Sequence, residues 1–238
     1  KAVALRARGK AVVGGTPYTD RLEDDRSFGQ EELKKGGVTI SPYRDFDNFD
    51  DAIAYVQENP SRYVIKPSGA AGNVKRRLFV GDEEDGHDVV RMLEAYKKAF
   101  SDEIKVFQLQ KRVVGVEVAV GAFFNGKSFV YPINTNFEHK KLFPGNSGPP
   151  TGEMGTAMFW SEPNKIFEQT LLKMEPRLAE EGYVGYIDVN CIVNNNGIYP
   201  LEFTSRFGYP TIFIQQEGMI TPIGLFLWDL AHGNEPKL

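Results

Sequence analysis

The sequence predicts an α+β fold in two lobes, with mainly antiparallel sheets and flanking helices. Three observations predict it. Short apolar runs of strand length are interspersed with segments whose apolar residues recur at helical spacing. Several neighbouring strands are separated only by tight turns such as Asn125-Gly126, which favours hairpins. The 238 residues, 41% hydrophobic and 25% charged, can bury a sizeable core. The net charge of −4 gives no global basic field for nucleic acid, so any anionic ligand must meet a local cluster of Lys and Arg. No apolar stretch approaches the ~20 residues that span a bilayer. Lys1 to Arg8 lacks the apolar region of a signal peptide. The lone cysteine, Cys191, excludes an internal disulfide and fits a reducing compartment, so a cytoplasmic location is expected.

Residues 1–41 read as a linker with a leading helix, Arg26 to Lys35, stopped by Gly36-Gly37. The chain starts abruptly and without Met, which hints at a fragment. Val38 to Ile40 reads as a short strand. The small lobe, 42–111, begins with a helix capped by Asp47, its Phe49, Ile53 and Val56 on one face. Strands follow at Arg62–Lys66 and Arg77–Val80, joined by a Gly-rich turn from Ser68 to Asn73. A helix from Asp88 to Phe100 turns Val89, Met92, Leu93 and Tyr96 inward, and Lys105–Gln110 is a strand.

The large lobe, 112–238, opens with the hairpin Gly115–Phe124 and Lys127–Ile133. Residues 144–157, rich in Gly and Pro, read as a long functional loop. Glu162 to Glu180 reads as one long helix that Pro176 kinks or divides. A second hairpin joins Tyr186–Val193 to Ile198–Phe203, and Thr221–His232 closes as a helix.

Four constellations carry chemistry. Lys66 ends an apolar strand before the turn Gly69-Ala-Ala-Gly72-Asn-Val-Lys75. Small residues let backbone N–H groups approach phosphate, and Lys75 adds charge; a solvated hairpin turn is the plain alternative. Asp188 and Glu202 lie on paired strands in apolar surroundings, with Asn190 and Thr204 two residues on. Paired carboxylates repel unless a cation such as Mg²⁺ joins them; two outward-facing acids would also fit. Arg206 follows as a phosphate clamp or a surface ion pair. The segment Gln110-Lys111-Arg112-Val113, running between lobes, offers backbone groups to an adenine edge, and Glu117 offers a carboxylate to ribose hydroxyls. Finally, Glu138-His139-Lys140-Lys141 precedes the Gly/Pro segment, where His139 reads first as a surface or hydrogen-bonded residue.

In this order the features resemble the ATP-grasp superfamily, and within it the phosphoribosylamine–glycine ligases. Three segments carry the likeness: VIKPSGAAGNVK (64–75), FEHKKLFPGNSGPPTGEMGTA (137–157) and LEFTSRFGYP (201–210). The resemblance implies an ATP-grasp fold binding ATP between its lobes, with residues 10–16 as the strand leaving a missing N-terminal domain and with a C-terminal domain also missing. It implies phosphate contacts from Lys66, Gly69, Gly72 and Lys75, adenine at Gln110, Lys111 and Val113, and ribose at Glu117. Mg²⁺ (or Mn²⁺) would sit at Asp188, Glu202 and Thr204, with Arg206 and Lys140 as catalytic cations. Glycine would be activated as an acyl phosphate and attacked by phosphoribosylamine. The chain departs from the family's pattern at Asn73, Thr204, Tyr209 and Thr211, the last two standing where the family keeps acids. A ligase joining another acid and amine, or a nucleotide-binding module without catalysis, would accommodate those changes.

Overall fold

The computed structural model describes residues 1–68 and 77–238. Two compact units divide the chain: Ser41–Val114 forms one, and Lys1–Ile40 with Gly115–Leu238 the other.

The first forty residues hold helices α1 (Ala2–Arg6), α2 (Pro17–Asp24) and α3 (Arg26–Lys35). Thr16 and Thr19 form a reciprocal capping box that starts α2, with Pro17 in its first turn. Asp25 caps α3 by accepting from the Phe28 N–H at 3.0 Å. Residues 10–16 show one bridge, Gly14 to Val184, rather than a continuous strand. Val38–Ile40 is not a strand either. Gly37 takes a left-handed φ of 75°, so the Val38 N–H returns to Leu33 O at 3.0 Å and the Gly37 N–H to Lys34 O at 2.9 Å. This Schellman closure occupies the Val38 donor that a ladder would need. The expected linker also contributes core: Tyr18, Leu22, Leu33 and Val38 are buried with residues of the later sheet.

The Ser41–Val114 unit contains β1 (Tyr43–Phe46), α4 (Phe49–Glu58), β2 (Tyr63–Pro67), β3 (Phe79–Val80), α5 (His87–Phe100) and β4 (Phe107–Lys111). Its sheet runs β1-β4-β2-β3, all pairs antiparallel. The cap of α4 is Asn48 rather than Asp47, because the Asn48 Oδ1 accepts from the Asp50 N–H at 2.7 Å. Phe46, Phe49, Val56, Ile65, Leu93 and Phe107 form its core.

Beyond it come β5 (Val116–Asn125), β6 (Phe129–Phe143), β7 (Ser147–Ser161), α6 (Lys165–Gln169), α7 (Glu175–Glu180), β8 (Val184–Asn194), β9 (Gly197–Thr204), α8 (Thr211–Glu217) and α9 (Ile223–Ala231). The five-stranded antiparallel sheet is ordered β7-β6-β5-β8-β9. Asn125 Oδ1 accepts from the N–H groups of Lys127 and Ser128, both at 3.0 Å, which closes the β5–β6 turn. The expected loop at 144–157 is mostly strand. β7 is an edge strand, where a proline N turned away from β6 removes no ladder bond, and register shifts between His139 and Phe143 absorb the irregularity that consecutive Pro149 and Pro150 bring. The expected helix at 162–180 is instead α6, a 3₁₀ turn at Leu171–Met174, and α7, with Pro176 in the first turn of α7. One sheet face packs Val120, Ala122, Ile187, Val189 and Phe203 on residues of α2, α3, α6 and α7. Part of the opposite face packs Phe123 and Tyr186 against Phe226 and Leu230 of α9.

Candidate functional site

In the Ser41–Val114 unit, β2 pairs with β4 so that Lys66 stands opposite Gln108 and Val64 opposite Gln110. Tyr63 and Ile65 face the core, which sends Lys66 to the other face. There its Nζ donates to Gln110 Oε1 at 2.5 Å. Gln110 is buried, and its Nε2 has no hydrogen-bond partner among the described residues. A buried donor left unpaired costs about 1–3 kcal/mol, which a ligand oxygen would recover. The expected free backbone at Lys111 is not there. Its N–H donates to Pro42 O at 2.8 Å and its carbonyl accepts from Ser41 Oγ at 2.9 Å. Val113 lies half-buried just past β4. Gly69, Gly72 and Lys75 lie outside the described residues.

In the other unit, alternation places Glu117 and Gly121 of β5, Asn134, Asn136 and Glu138 of β6, Asp188 and Asn190 of β8, and Glu202 and Thr204 of β9 on one sheet face. Lys140 Nζ reaches Glu117 Oε1 at 2.5 Å and Glu138 Oε2 at 3.3 Å. Asn190 Nδ2 donates to the same Glu117 oxygen at 2.8 Å, while its own Oδ1 is buried without a partner among the described residues. Burial alone would lower the Lys140 pKa, but Glu117, Glu138 and Glu202 together hold it above the ordinary lysine value. Burial pushes Asp188 up to about 8, the charges of Glu138 and Glu202 push the same way, and hydrogen bonds from Tyr186 and Thr204 oppose them. Glu117, Glu138, Asp188 and Glu202 thus share one face with Lys140.

Asp188 and Glu202 share one face of the paired strands β8 and β9 as diagonal neighbours and are not directly opposite. A register shift between Asn190 and Cys191 sets Asp188 opposite Thr204 and Glu202 opposite Asn190. Glu202 pairs instead with Arg26 of α3, Nη1 to Oε2 at 3.3 Å, and Arg206 Nε donates to Glu23 Oε1 of α2 at 2.8 Å. Among the described residues, the only three carboxylate or imidazole groups with ligand atoms within 4.8 Å of one another are the exposed Glu83, Asp85 and His87. His139 turns its Nε2 to Phe143 O at 3.2 Å, a structural contact.

Sequence reasoning gave no role to Glu138, Glu23 or Arg26. The spacing of Glu138 from Lys140 placed both on one face of a strand, so that signal was present. Nothing local links Glu23 to Arg206, since 183 positions separate them.

Beneath this site a buried polar chain continues along β6. Asn134 Nδ2 donates to Asn136 Oδ1 at 2.9 Å and to Tyr186 Oη at 3.0 Å, and Gln215 Nε2 of α8 donates to Asn134 Oδ1 at 3.2 Å. Gly121 makes room for it. A Cβ there would lie 2.2 Å from Tyr186 Oη and 2.8 Å from Asp188 Cβ.

Known proteins are similar to this chain in sequence and in fold. The chain is 28% identical over 240 residues to the phosphoribosylamine–glycine ligase of Lactococcus lactis, covering 95% of this chain and 55% of the relative. It is 29% identical over 219 residues to that of Methanocella arvoryzae, covering 87% and 49%. The chain thus spans about half the length of the curated relatives it matches. The crystal structure of phosphoribosylamine–glycine ligase from Thermotoga maritima superposes with a TM-score of 0.69 at 21% identity, over 95% of this chain and 58% of that one. D-alanine–D-alanine ligase from Bacillus anthracis, complexed with ATP, gives 0.58 at 14% identity, over 99% and 73%. The family described as phosphoribosylglycinamide synthetase, ATP-grasp (A) domain, matches residues 24–212, more than half the sequence, so the chain belongs to that family.

Proposed function

We propose that this chain is the ATP- and cation-binding part of a phosphoribosylamine–glycine ligase of purine biosynthesis, working in the cytoplasm with further domains of the same protein. One observation carries the reading: Glu117, Glu138 and Glu202 act together on Lys140 at one face of the large sheet, and Asp188 shares that face. Such a face suits a cation and a polyphosphate. The residues fit a divalent ion, because Asn190 Oδ1 is a buried acceptor without a partner among the described residues and Asp188 is held up to about 8 among other acids. Asp188 and Glu202 would hold Mg²⁺ (or Mn²⁺), with Asn190 or Thr204 as neutral oxygens. When bound, the ion withdraws charge from phosphate oxygens.

Lys66 and the Gln110 Nε2 serve as donors to the nucleotide, and Glu117 serves its ribose. Lys140 and Arg206 stabilise negative charge while a substrate carboxylate attacks the γ-phosphorus and ADP leaves. The amine nitrogen then displaces inorganic phosphate from the acyl phosphate. Positioning and charge neutralisation suffice, with no side-chain nucleophile.

Titration calorimetry of this chain with ATP and Mg²⁺ tests the nucleotide site; heat that persists in Lys66→Ala and Glu202→Ala would refute the assignment. An ADP-release screen of the longer protein with glycine and phosphoribosylamine against other acids and amines tests the substrates. A second reading has its own observation. Tyr209 is 78% exposed and Thr211 is buried at the start of α8, where the resembling family keeps acids. Turnover with another acid and not with glycine would favour that divergent ligase, and binding without any turnover would favour a nucleotide-binding module.

A further inference from the structure

Arg206 emerges from a short segment held by a dense set of hydrogen bonds. The Ser205 N–H donates to Glu23 Oε2 at 2.9 Å. The Ser205 hydroxyl donates to Thr19 O at 2.9 Å and lies 3.3 Å from Glu23 Oε2. The Ser205 carbonyl accepts from Tyr183 Oη at 3.1 Å. Ser205 is buried, whereas the Arg206 side chain is 64% exposed. Glu23 therefore uses one oxygen on the backbone before Arg206 and the other on the Arg206 Nε, at 2.8 Å. The guanidinium keeps its terminal nitrogens for another acceptor; among the described residues, only Nη1 meets the Phe207 carbonyl, at 3.5 Å. Glu23 lies one residue ahead of the stretch that the family match covers.

We propose that Glu23 is a positioning residue: it orients the Arg206 guanidinium toward the terminal phosphate of the nucleotide. An exposed arginine loses rotamer freedom when it is fixed on a ligand. The Glu23 contact makes that loss in advance and aims the free edge of the fork. The inference rests on the reading of Arg206 as a phosphate-binding cation. The opposing effect is electrostatic: a carboxylate beside Arg206 weakens the positive field that ATP meets. The two effects predict opposite outcomes when the carboxylate is neutralised.

The test is calorimetry of ATP·Mg²⁺ and of ADP·Mg²⁺ on wild type, Glu23→Gln, Arg206→Ala and the double variant, each checked for an unchanged melting temperature. The amide oxygen introduced by Glu23→Gln can still accept from the Ser205 N–H, but the amide offers no second anionic oxygen to Arg206. The expected result is that Arg206→Ala weakens ATP roughly tenfold or more and leaves ADP nearly unchanged, because only ATP carries the terminal phosphate. Glu23→Gln weakens ATP roughly three- to tenfold, again sparing ADP, and adds nothing once Arg206 is gone. Glu23→Asp, which reaches one partner less well, falls between. Equal weakening of ATP and ADP, additive effects in the double variant, or tighter ATP binding by Glu23→Gln would each overturn the proposal while leaving the role of Arg206 intact. No effect of Arg206→Ala on ATP would overturn both. If Glu23→Gln melts early, the ATP-to-ADP affinity ratio of Glu23→Asp decides in the same way.

Discussion

The two faces of the five-stranded sheet obey the same alternation and yet do opposite things. On one, Val120, Ala122, Ile187, Val189 and Phe203 are buried against helices. On the other, Asn134, Asn136, Asp188 and Asn190 are equally buried but polar, and Glu117, Glu138 and Lys140 are half-buried beside them. Hydrophobic burial accounts for the first face, since each fully buried aliphatic or aromatic side chain stabilises by about 1.5–3 kcal/mol. It gives no reason for the second, where burying acids disfavours folding. A face that costs stability and is nonetheless built this way is where ligand chemistry belongs.

Neighbours on β9 give the largest contrast. Phe203→Ala should cost about 3–5 kcal/mol, because it opens a cavity in the apolar face. Glu202→Ala, one residue away, should change stability by less than about 1 kcal/mol, since its pair with Arg26 is partly exposed. It should abolish Mg²⁺-dependent ATP heat. Denaturant melts and calorimetry on both variants check this, and a Glu202→Ala protein destabilised as much as Phe203→Ala would erase the distinction between the faces.

Gly121 tests how tightly the polar face is built. Gly121→Ala should cost about 1–3 kcal/mol, because the new methyl collides with the Tyr186 hydroxyl and the Asp188 side chain. Tyr186→Phe in the same background should recover part of that loss by removing the oxygen. An unchanged melting temperature in Gly121→Ala would show that the Asn134–Tyr186 chain can move aside.

Much of this contrast can be read from the chain, and the failures have physical causes. The period of two in Val184–Asn194 and Gly197–Thr204 groups Asp188 with Asn190 and Glu202 with Thr204, but whether the two pairs share a face depends on register. Alternation does not specify a bulge, so the shift at Asn190/Cys191 and the partners it sets were hidden. Pro149 and Pro150 argued for a loop because a strand's position in the sheet is not a local property, and only an edge such as β7 tolerates them. Thr16-Pro17 was a readable start for α2. Thr211 to Glu217, with Thr, two Ile and Phe, has the composition of a strand and is a helix by tertiary context. The braces on Glu202 and Arg206 come from α2 and α3, far away in sequence, and no spacing rule reaches them.

A smaller effect lies at the sheet's polar margin. Asn164 caps α6, accepting from the N–H groups of Ile166 and Phe167, both at 3.1 Å, and also donates to Thr135 Oγ1 at 3.0 Å. Asn164→Ala should cost about 1 kcal/mol, and Asn164→Asp, which keeps the cap, should cost less. Equal melting of the two would assign the effect to the Thr135 contact instead.

The helices over the apolar face carry a buried charge, Glu32, and its behaviour should differ from that of the acids opposite. Burial would raise the Glu32 pKa, but hydrogen bonds from Lys35 and Tyr18 and the charges of Lys35 and Arg177 hold it below the ordinary value. A carboxyl depressed on folding adds stability above its unfolded pKa and loses it as pH falls through the folded value. Glu32→Gln should therefore be less stable than wild type near neutral pH, and the gap should close as pH falls below the ordinary carboxylate range and through the lowered folded value. Paired denaturant melts across that range measure it. A gap of constant size would mean that Glu32 contributes through packing beside Tyr18 rather than through charge, and that the helical cover is as electrostatically silent as the apolar face beneath it.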